Sequence, residues 1–275
     1  MDDPPVLVEQ TQAVTTLILN RPEQRNAIDS QGWVNIRREI ERENARPCCR
    51  VIVIRGSSGN FGAGANIAEF KDAFVTSEST LSYFAEMEAA LRSIEGSPKP
   101  VVAVIEGLCI GACVALALAC DIRLTSDMAT FAITPAKLGI AYPYEDIARL
   151  VRTIGPGQAR RLLYTGLRLT ADEAMTIGLV DQLVSSSALE GALDTLTDDL
   201  SGASHFTIRT SKTAIRAIIG GEGATAAGYP MKMVEAVRGP DFMEGLSAFH
   251  EKRRPAFKQS TPATDASGTD FGNRP

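Results

Sequence analysis

The sequence predicts an α/β fold that ends in an all-helical region, and three observations support this prediction. Short β-branched segments such as 51–54 and 101–105 alternate with segments of helical apolar spacing, which is typical of βαβ units. From residue 187 to about residue 253 the pattern is helical throughout. The 275 residues, 44% of them hydrophobic, can bury one large core without disulfide bonds.

The first part of the chain is predicted to form two strands, a helix and a buried strand. Residues 6–9 and 14–19 have strand-like composition, and Ser30 is the predicted N-cap of the helix. Pro47 ends this helix, and the strand at 51–54 leads into a glycine-rich loop. Apolar residues at helical spacing mark the buried face of the helix: Trp33, Ile36 and Ile40.

The apolar segment 101–120 has the length of a membrane-spanning helix but not its pattern. Pro100 precedes a β-branched run and Glu106 interrupts it. We therefore expect a buried strand at 101–105, a turn, and a buried helix at about 111–120. The other predicted elements are a helix at 79–94, strands at 121–126, 129–133 and 180–184, helices at about 145–154 and 156–165, and a helix with a capping box at Thr170 and Glu173.

Composition limits the classes of function. Lys and Arg number 28 and Asp and Glu number 33, so the net charge is −5, and no long basic run suggests nucleic-acid binding. With only two histidines, and five cysteines that form no C-x-x-C pair, we expect neither a metal site nor a disulfide framework. The chain begins MDDPPVLV, without a signal-peptide pattern, so we expect a cytoplasmic protein without membrane attachment.

Two glycine-rich turns each follow a buried strand and open a helix, at 61–66 (FGAGAN) and at 107–113 (GLCIGAC). Small residues let a ligand approach the backbone, and the first N–H groups of a helix have no partner within that helix. Either turn alone is adequately explained as a tight connection. Two such N–H groups that converge on one oxygen would form an oxyanion hole, and the presence of the pair favours this interpretation.

Over roughly residues 6–258 the chain resembles the crotonase superfamily, also called the enoyl-CoA hydratase/isomerase family. The strings that carry the resemblance are LNRPEQRNAI, NFGAGANIAEF, KPVVAVIEGLCIGACVALALACDIRL, TPAKLGI, TGLRLTADEAMTIGLVDQLV and EGLSAFHEKRRPAF. The resemblance implies a spiral of ββα units, an acyl-CoA substrate in fatty acid metabolism, and a homotrimer or dimer of trimers. Coenzyme A is then part of the substrate, and no separate cofactor is implied.

The resemblance also implies three regions and a set of site residues. We expect a crotonase-like spiral core with the acyl-CoA site at 1–200, a helical oligomerisation region at 201–257 and a disordered polar tail at 258–275. The implied oxyanion-hole donors are the N–H groups of Ala65 and Ala112. The other implied substrate-binding residues are Arg25, Ala63, Asn66, Ile67 and Gly111, with Phe249 and Lys252 reaching coenzyme A from a neighbouring subunit.

The chain departs from the family pattern where catalytic carboxylates are expected. Family hydratases carry two glutamates, at positions that match Ala115 and Pro135 here, and neither residue can transfer a proton. An aspartate that some isomerases and dehalogenases use would fall at Pro143. Hydration by a glutamate pair is therefore not expected.

Three hypotheses about function remain open. The first is an acyl-CoA lyase or isomerase of the enoyl-CoA hydratase/isomerase family that stabilises a thioester enolate. The second is a decarboxylase of a malonyl-type CoA thioester, because TPAKLGIAY is similar to the methylmalonyl-CoA decarboxylase branch, in which the residue matching Tyr142 orients a carboxylate. The third is a catalytically silent acyl-CoA-binding protein. Glu145, just past Tyr142, is a candidate relocated acid or base, although acids near a helix start also favour the helix dipole.

Overall fold

The computed structural model describes residues 4–221 and 223–257, with the backbone alone for 223–226. Nine strands are present in this part of the chain: β1 (Val6–Gln10), β2 (Val14–Leu19), β3 (Val51–Gly56), β4 (Val101–Ile105), β5 (Leu108–Ile110), β6 (Ile122–Ser126), β7 (Thr130–Ala132), β8 (Arg168–Thr170) and β9 (Gln182–Val184). The α-helices are α1 (Ser30–Ala45), α2 (Phe70–Ala73), α3 (Ser77–Gly96), α4 (Ala112–Ala119), α5 (Pro135–Leu138), α6 (Tyr144–Thr165), α7 (Ala171–Thr176), α8 (Leu189–Gly202), α9 (His205–Gly220), α10 (Gly223–Arg238) and α11 (Pro240–Glu251).

The strands form two sheets. The six-stranded sheet has the order β1-β2-β3-β4-β6-β9, in which β1 and β2 are antiparallel and the other neighbours are parallel. The three-stranded sheet has the order β5-β7-β8. Helices follow the parallel strands, as βαβ connections require. The predicted α/β class with a helical C-terminal region is therefore confirmed.

Successive turns of the chain stack as a spiral. Strand β4 of the large sheet is followed by β5 of the small sheet, and β6 is followed by β7 in the same way. The preceding turn runs from β3 to Gly62, which forms a parallel bridge with Cys109 in β5. Each of these spiral turns thus adds a strand to the large sheet and a strand or bridge residue to the small sheet before its helix begins. This arrangement brings the starts of neighbouring helices close together.

The large sheet is buried on both faces along the continuous apolar runs of its central strands, residues 51–54 of β3 and 101–105 of β4. In β3, Ile52 and Ile54 belong to the main core with α1, α3 and α4. Val51 and Val53 point to the opposite face and pack with Leu189 and other residues of α8. Continuous apolar runs are typical of parallel strands covered by helices on both sides. Helix α8 therefore covers this face of the large sheet.

Several local predictions differ from the structure. The N-cap of α1 is Asp29, whose Oδ1 accepts a hydrogen bond from the Gly32 N–H at 2.6 Å, so the prediction of Ser30 is wrong by one residue. Strands β5 and β8 were not predicted, and each has only three residues. The helices predicted at 145–154 and 156–165 are the two parts of α6, which bends at Gly155.

Other predictions are confirmed or lie outside the described residues. Thr170 and Glu173 form the predicted capping box at the start of α7. The apolar segment 101–120 is divided among β4, β5 and α4, and among the described helices none combines the length and apolarity that crossing a membrane requires. The tail at 258–275 lies outside the described residues, and the boundary at residue 200 remains a prediction.

Candidate active site

A pocket opens where the two glycine-rich turns meet the helices α3 and α5. Ala63, Gly64 and Ala65 line it from the first turn, and Gly111 and Ala112 from the second. The turns are joined by backbone hydrogen bonds, since the Gly62 N–H donates to the Leu108 carbonyl at 2.7 Å and the Ile110 N–H donates to the Gly62 carbonyl at 3.0 Å. The spiral thus places two segments about 45 residues apart in the sequence against one cavity.

The first turn is held along its length by the segment before α1. The Ile28 N–H donates to the Gly64 carbonyl at 2.8 Å, and the Asn66 N–H donates to the Ile28 carbonyl at 2.8 Å. These two bonds lie on either side of Ala65 and leave its own N–H unused. Gly64 has φ +101°, a left-handed conformation that side chains rarely adopt, and a Cβ there would lie 2.9 Å from the Ile110 carbonyl oxygen.

The second turn is held through both polar groups of Gly111. Its N–H donates to the Ala132 carbonyl in β7 at 2.8 Å, and its carbonyl accepts the Tyr142 hydroxyl at 3.0 Å. Ala112 is the first residue of α4, where an N–H has no partner within its own helix. Across residues 4–221 and 223–257 no acceptor is found for the N–H of Ala65 or of Ala112. Two unpaired amides therefore belong to one pocket.

The opposite wall of the pocket is aromatic and apolar. Phe70, Tyr83, Phe84 and Met87 contribute to it, mainly from α3. Among the lining residues of the described chain there is no Asp, Glu, His, Lys or Arg. The hydroxyl groups of tyrosine and threonine are therefore the polar side-chain groups of the lining. Tyr83, Phe84 and Met87 fall in the helix predicted at 79–94 but are not among the predicted site residues; the cluster of aromatic residues at 70–84 is the available signal.

The two tyrosines of the pocket are protonated at neutral pH. Burial, reinforced by the Asp146 carboxylate, raises the pKa of Tyr142 well above its usual value. Burial also raises the pKa of Tyr83 to about 12; the hydrogen bond with the Trp33 indole N–H opposes this rise, and Glu69 and Asp29 add to it. Neither phenol can act as an anionic base under ordinary conditions.

The three positions at which the family resemblance implies catalytic carboxylates hold Ala115, Pro135 and Pro143. Ala115 is completely buried in α4, and Pro135 lines the pocket at the start of α5. Pro143 also lines it, at the N-cap of α6. The side chains at these three positions offer no titratable group to the cavity.

The predicted site residues separate into two groups. Those that line the pocket are Ala63, Ala65, Ile67, Gly111, Ala112 and Tyr142. The others lie elsewhere in the chain: Arg25, Asn66, Glu145, Phe249 and Lys252. Among these, Arg25 is exposed but adjoins the site, because its carbonyl accepts the Ala63 N–H at 2.9 Å, and the Asn66 side chain accepts from the Ala68 N–H at 3.2 Å.

Glu145 is not among the residues that line the pocket, so the geometry gives no support to its predicted place beside an acyl group. Its carboxylate faces Arg92, with 3.8 Å between the nearest oxygen and nitrogen, and it lines a separate cavity on the outer side of α6. It occupies the second position of α6, and the turn of the helix directs Asp146 inward instead. The structure thus separates Glu145 from any ligand in the pocket.

Asp146 is buried behind Tyr142 in a network of charges around Arg149. The Arg149 guanidinium donates to Asp146 at 2.7 Å and also to Glu88 and Glu95. Burial raises the pKa of Asp146 to about 6, and Arg149 opposes the rise. One carboxylate oxygen of Asp146 has no hydrogen-bond partner among the described residues. Asp146 does not line the pocket, so Tyr142 stands between the pocket and this carboxyl group.

Comparison with known proteins supports the assignment to a family. The family model described as enoyl-CoA hydratase/isomerase matches residues 9–260, which is more than nine-tenths of the chain. This chain belongs to the enoyl-CoA hydratase/isomerase family.

Relatives in the enoyl-CoA hydratase/isomerase family align with nearly the whole chain. Crotonyl-CoA hydratase from Syntrophomonas wolfei is 30% identical over 92% of this chain and 97% of its own length. The 2,3-dehydroadipyl-CoA hydratase of Escherichia coli is 32% identical over 92% of this chain and 98% of its own length. The solved structure of an enoyl-CoA hydratase from Bacillus anthracis superposes with a TM-score of 0.87, at 28% identity, over 93% of this chain and 100% of that chain.

Proposed function

We propose that this chain is an acyl-CoA enzyme that holds a thioester carbonyl between the N–H groups of Ala65 and Ala112. The observation that carries the proposal is the presence of these two unpaired amides in one pocket of a family named for acyl-CoA chemistry. Negative charge develops on the thioester oxygen when an enolate forms. Two amides already directed at that oxygen stabilise the charge without reorganisation.

The lining of the pocket limits the reaction. Syn hydration needs an acid and a base beside the α and β carbons, and the lining offers no carboxylate, histidine or lysine. We therefore expect a reaction that forms the enolate without an acid or base from the lining, rather than ordinary hydration. Isomerisation by a lining side chain meets the same lack, because moving a double bond also needs a group that removes and returns a proton. An assay with crotonyl-CoA tests this expectation, and hydration at ~10 s⁻¹ or more would contradict it.

Replacing Ala112 by proline tests the oxyanion hole directly. Proline has no N–H but is tolerated at the first position of a helix, whereas A112G keeps the N–H and serves as the matched control. The readout is the carbonyl stretch of bound butyryl-CoA labelled with carbon-13 at the thioester carbon, recorded by Raman difference spectroscopy. We expect wild type and A112G to lower the frequency, and A112P to lower it less.

Turnover gives a second readout of the same pair of variants. For any reaction that the wild type catalyses, we expect A112P to reduce kcat by roughly 100-fold to 1,000-fold. A bound thioester with an unshifted carbonyl in wild type, or equal behaviour of A112P and A112G, would show that these amides do not polarise the substrate.

Decarboxylation of a malonyl-type thioester is the second candidate. It is favoured by the same observation, that no carboxylate, histidine or lysine lines the pocket. Loss of carbon dioxide itself generates the enolate, so no base is needed. The Tyr142 hydroxyl donates its hydrogen bond to the Gly111 carbonyl and so supports the turn that carries Ala112. To bind a carboxylate it would have to give up this hydrogen bond. If malonyl-CoA and methylmalonyl-CoA are not consumed, this candidate fails; if they are and Y142F is as active as wild type, Tyr142 has no role in it.

A silent acyl-CoA-binding protein is the third candidate. It predicts calorimetric binding of CoA thioesters together with no turnover across enoyl, malonyl and 3-hydroxyacyl substrates. Any catalysed reaction that A112P abolishes excludes it.

A further inference from the structure

The Tyr142 hydroxyl binds the same peptide group that carries one of the two unpaired amides. The carbonyl of Gly111 and the N–H of Ala112 are the two ends of that group, and in a trans peptide they point in opposite directions. Tyr142 donates to the carbonyl at 3.0 Å, and no acceptor is found for the N–H within the described part of the chain. The peptide group is therefore bound at its oxygen by Tyr142 while its hydrogen is free for a ligand in the pocket.

A hydrogen bond at one end of a peptide group changes the other end. The electrons of the group are delocalised over oxygen, carbon and nitrogen, so a donor at the oxygen increases the charge separation across the whole group. Hydrogen bonds in such a chain polarise and strengthen one another. The Ala112 N–H is thus a stronger donor with the Tyr142 hydroxyl in place than without it.

The same hydrogen bond restrains the direction of the amide. Gly111 has φ +54° and ψ −117°, and nothing lies within 4 Å of the place that a Cβ would occupy there. The carbonyl also accepts the Val114 N–H at 3.0 Å and the Ala115 N–H at 3.4 Å, both from within α4. Tyr142 belongs to the segment between α5 and α6, so it adds a restraint from outside the helix.

The first amide of the pocket has a comparable partner in the backbone. The Gly64 carbonyl, which shares a peptide group with the Ala65 N–H, accepts the Ile28 N–H at 2.8 Å. Each of the two amides therefore has a hydrogen bond at the carbonyl of its own peptide group. At the second amide the donor from outside the turn is a side chain, and burial raises the pKa of Tyr142 well above its usual value, so the phenol keeps the proton that it donates.

We infer that Tyr142 is a positioning residue that orients the Ala112 amide and strengthens it as a donor to the substrate oxygen. The inference rests on the proposed function, since it assumes that a thioester carbonyl lies at this amide. Tyr142 acts through the peptide group rather than by binding the acyl group. Its effect is largest when negative charge develops on the oxygen, so it raises kcat more than it lowers KM.

Replacing Tyr142 by phenylalanine tests the inference. Y142F keeps the ring, and the Gly111 carbonyl keeps its partner Val114, so we expect the variant to fold, as urea denaturation can check. In Raman difference spectra of bound butyryl-CoA labelled with carbon-13 at the thioester carbon, Y142F is expected to lower the carbonyl frequency less than wild type does. For any reaction that the wild type catalyses, kcat should fall about fivefold with little change in KM.

Two controls show whether the effect passes through the amide. Y144F removes the hydroxyl of a tyrosine that is 80% exposed and outside the pocket lining, and it should behave as wild type. A112P has no N–H at the second donor, so adding Y142F to it should shift the carbonyl frequency no further. Fluorotyrosine in place of Tyr142 has a more acidic hydroxyl, and it should lower the frequency beyond wild type.

The outcomes separate this inference from the proposed function. An unshifted carbonyl in wild type means that the proposed function fails, and the inference fails with it. A shift in wild type that Y142F retains in full, or an equal loss from Y142F with and without A112P, overturns the role of Tyr142 and leaves the oxyanion hole in place. If Y142F does not fold, a fluorotyrosine protein with a carbonyl frequency equal to or above that of wild type overturns it.

Discussion

Gly64 is a residue at which the two turns of the pocket approach each other closely. A Cβ at this position would lie 2.9 Å from the Ile110 carbonyl oxygen and 3.5 Å from the Ala112 nitrogen. Its φ of +101° also disfavours any side chain. The conformation that leaves the Ala65 amide unpaired therefore depends on the absence of a side chain one residue earlier.

Replacing Gly64 by alanine is expected to lower the free energy of unfolding by about 1–3 kcal/mol, from backbone strain and contact with the second turn. Urea denaturation measures the loss. Gly59 is the matched control, because its φ is +72° but nothing lies within 4 Å of a Cβ there. G59A should therefore lose only the strain contribution, and equal losses in the two variants would show that the contact with Ile110 is unimportant.

Asp146 predicts a specific pH dependence of stability. Folding raises its pKa from 3.8 to about 6, so the folded state binds this proton more tightly than the unfolded state does. Its contribution is most favourable below the unfolded pKa and is lost as the pH rises through about 6.

D146N keeps an acceptor for Arg149 but cannot ionise, so this pH-dependent contribution disappears. We expect the stability of wild type relative to D146N to fall between about pH 4 and pH 7, as measured by urea denaturation. The pKa of Glu88 is lowered, so its contribution to stability changes with pH in the opposite direction in both proteins. The difference in unfolding free energy between wild type and D146N is therefore the informative quantity. A difference that stays constant or rises would contradict burial as the dominant influence on Asp146.

Among the elements, helix α7 has only six residues, so its stability depends strongly on the hydrogen bonds that cap its first turn. The Thr170 hydroxyl accepts from the Glu173 N–H at 3.3 Å, and the Glu173 carboxylate accepts from the Thr170 N–H at 2.9 Å. T170A is expected to cost about 1 kcal/mol of unfolding free energy, whereas T170S keeps the cap and should cost less. Thermal or urea unfolding of both variants tests this, and an equal loss would assign the effect to the lost methyl group.

Elements differ in how well their local sequence specifies them. The capping box at Thr170 was predictable because its donors and acceptors lie within four residues. The start of α1 was placed one residue late, since Asp29 and Ser30 are both good caps and the choice depends on Arg21, whose side chain pairs with the Asp29 carboxylate. Strands β5 and β8 are three residues long and exist through pairing with β7, which no local pattern records.

At the scale of the whole molecule, the C-terminal helices present a large apolar surface. Exposed apolar residues on α9, α10 and α11 include Ile215, Ile218, Ile219, Met231, Met233, Val237, Phe242, Met243, Leu246 and Phe249. Exposed apolar patches of this extent usually mark interfaces. The surface therefore favours an interface with another chain, while the homotrimer or dimer of trimers implied by the family resemblance, with Phe249 and Lys252 at a neighbouring subunit, stays a prediction.

Light scattering after gel filtration tests the assembly. We expect a mass of three or six chains for wild type and a smaller mass for I218D, because Ile218 is 79% exposed in the single chain and a buried carboxylate without a partner is costly at an interface. M128D changes a similarly exposed residue between β6 and β7, and it should keep the wild-type mass. A monomeric wild type would contradict the oligomeric prediction.

Residue types and their spacing are enough to predict the alternation of strands and helices, the two glycine-rich turns and the lack of acids at Ala115 and Pro135. These properties follow from residue type and from spacing within short segments, which local patterns record. The family strings added the candidate amide donors, and both Ala65 and Ala112 line the pocket.

Which polar groups meet depends on the packing of the folded chain. This packing directs the Tyr142 hydroxyl to the Gly111 carbonyl and turns Glu145 toward Arg92 instead of the pocket. Adjacent residues on a helix point about 100° apart, so a shift of one position moves a carboxylate from a pocket to another surface. Such outcomes depend on how segments far apart in the sequence pack, and no motif within one segment contains that information.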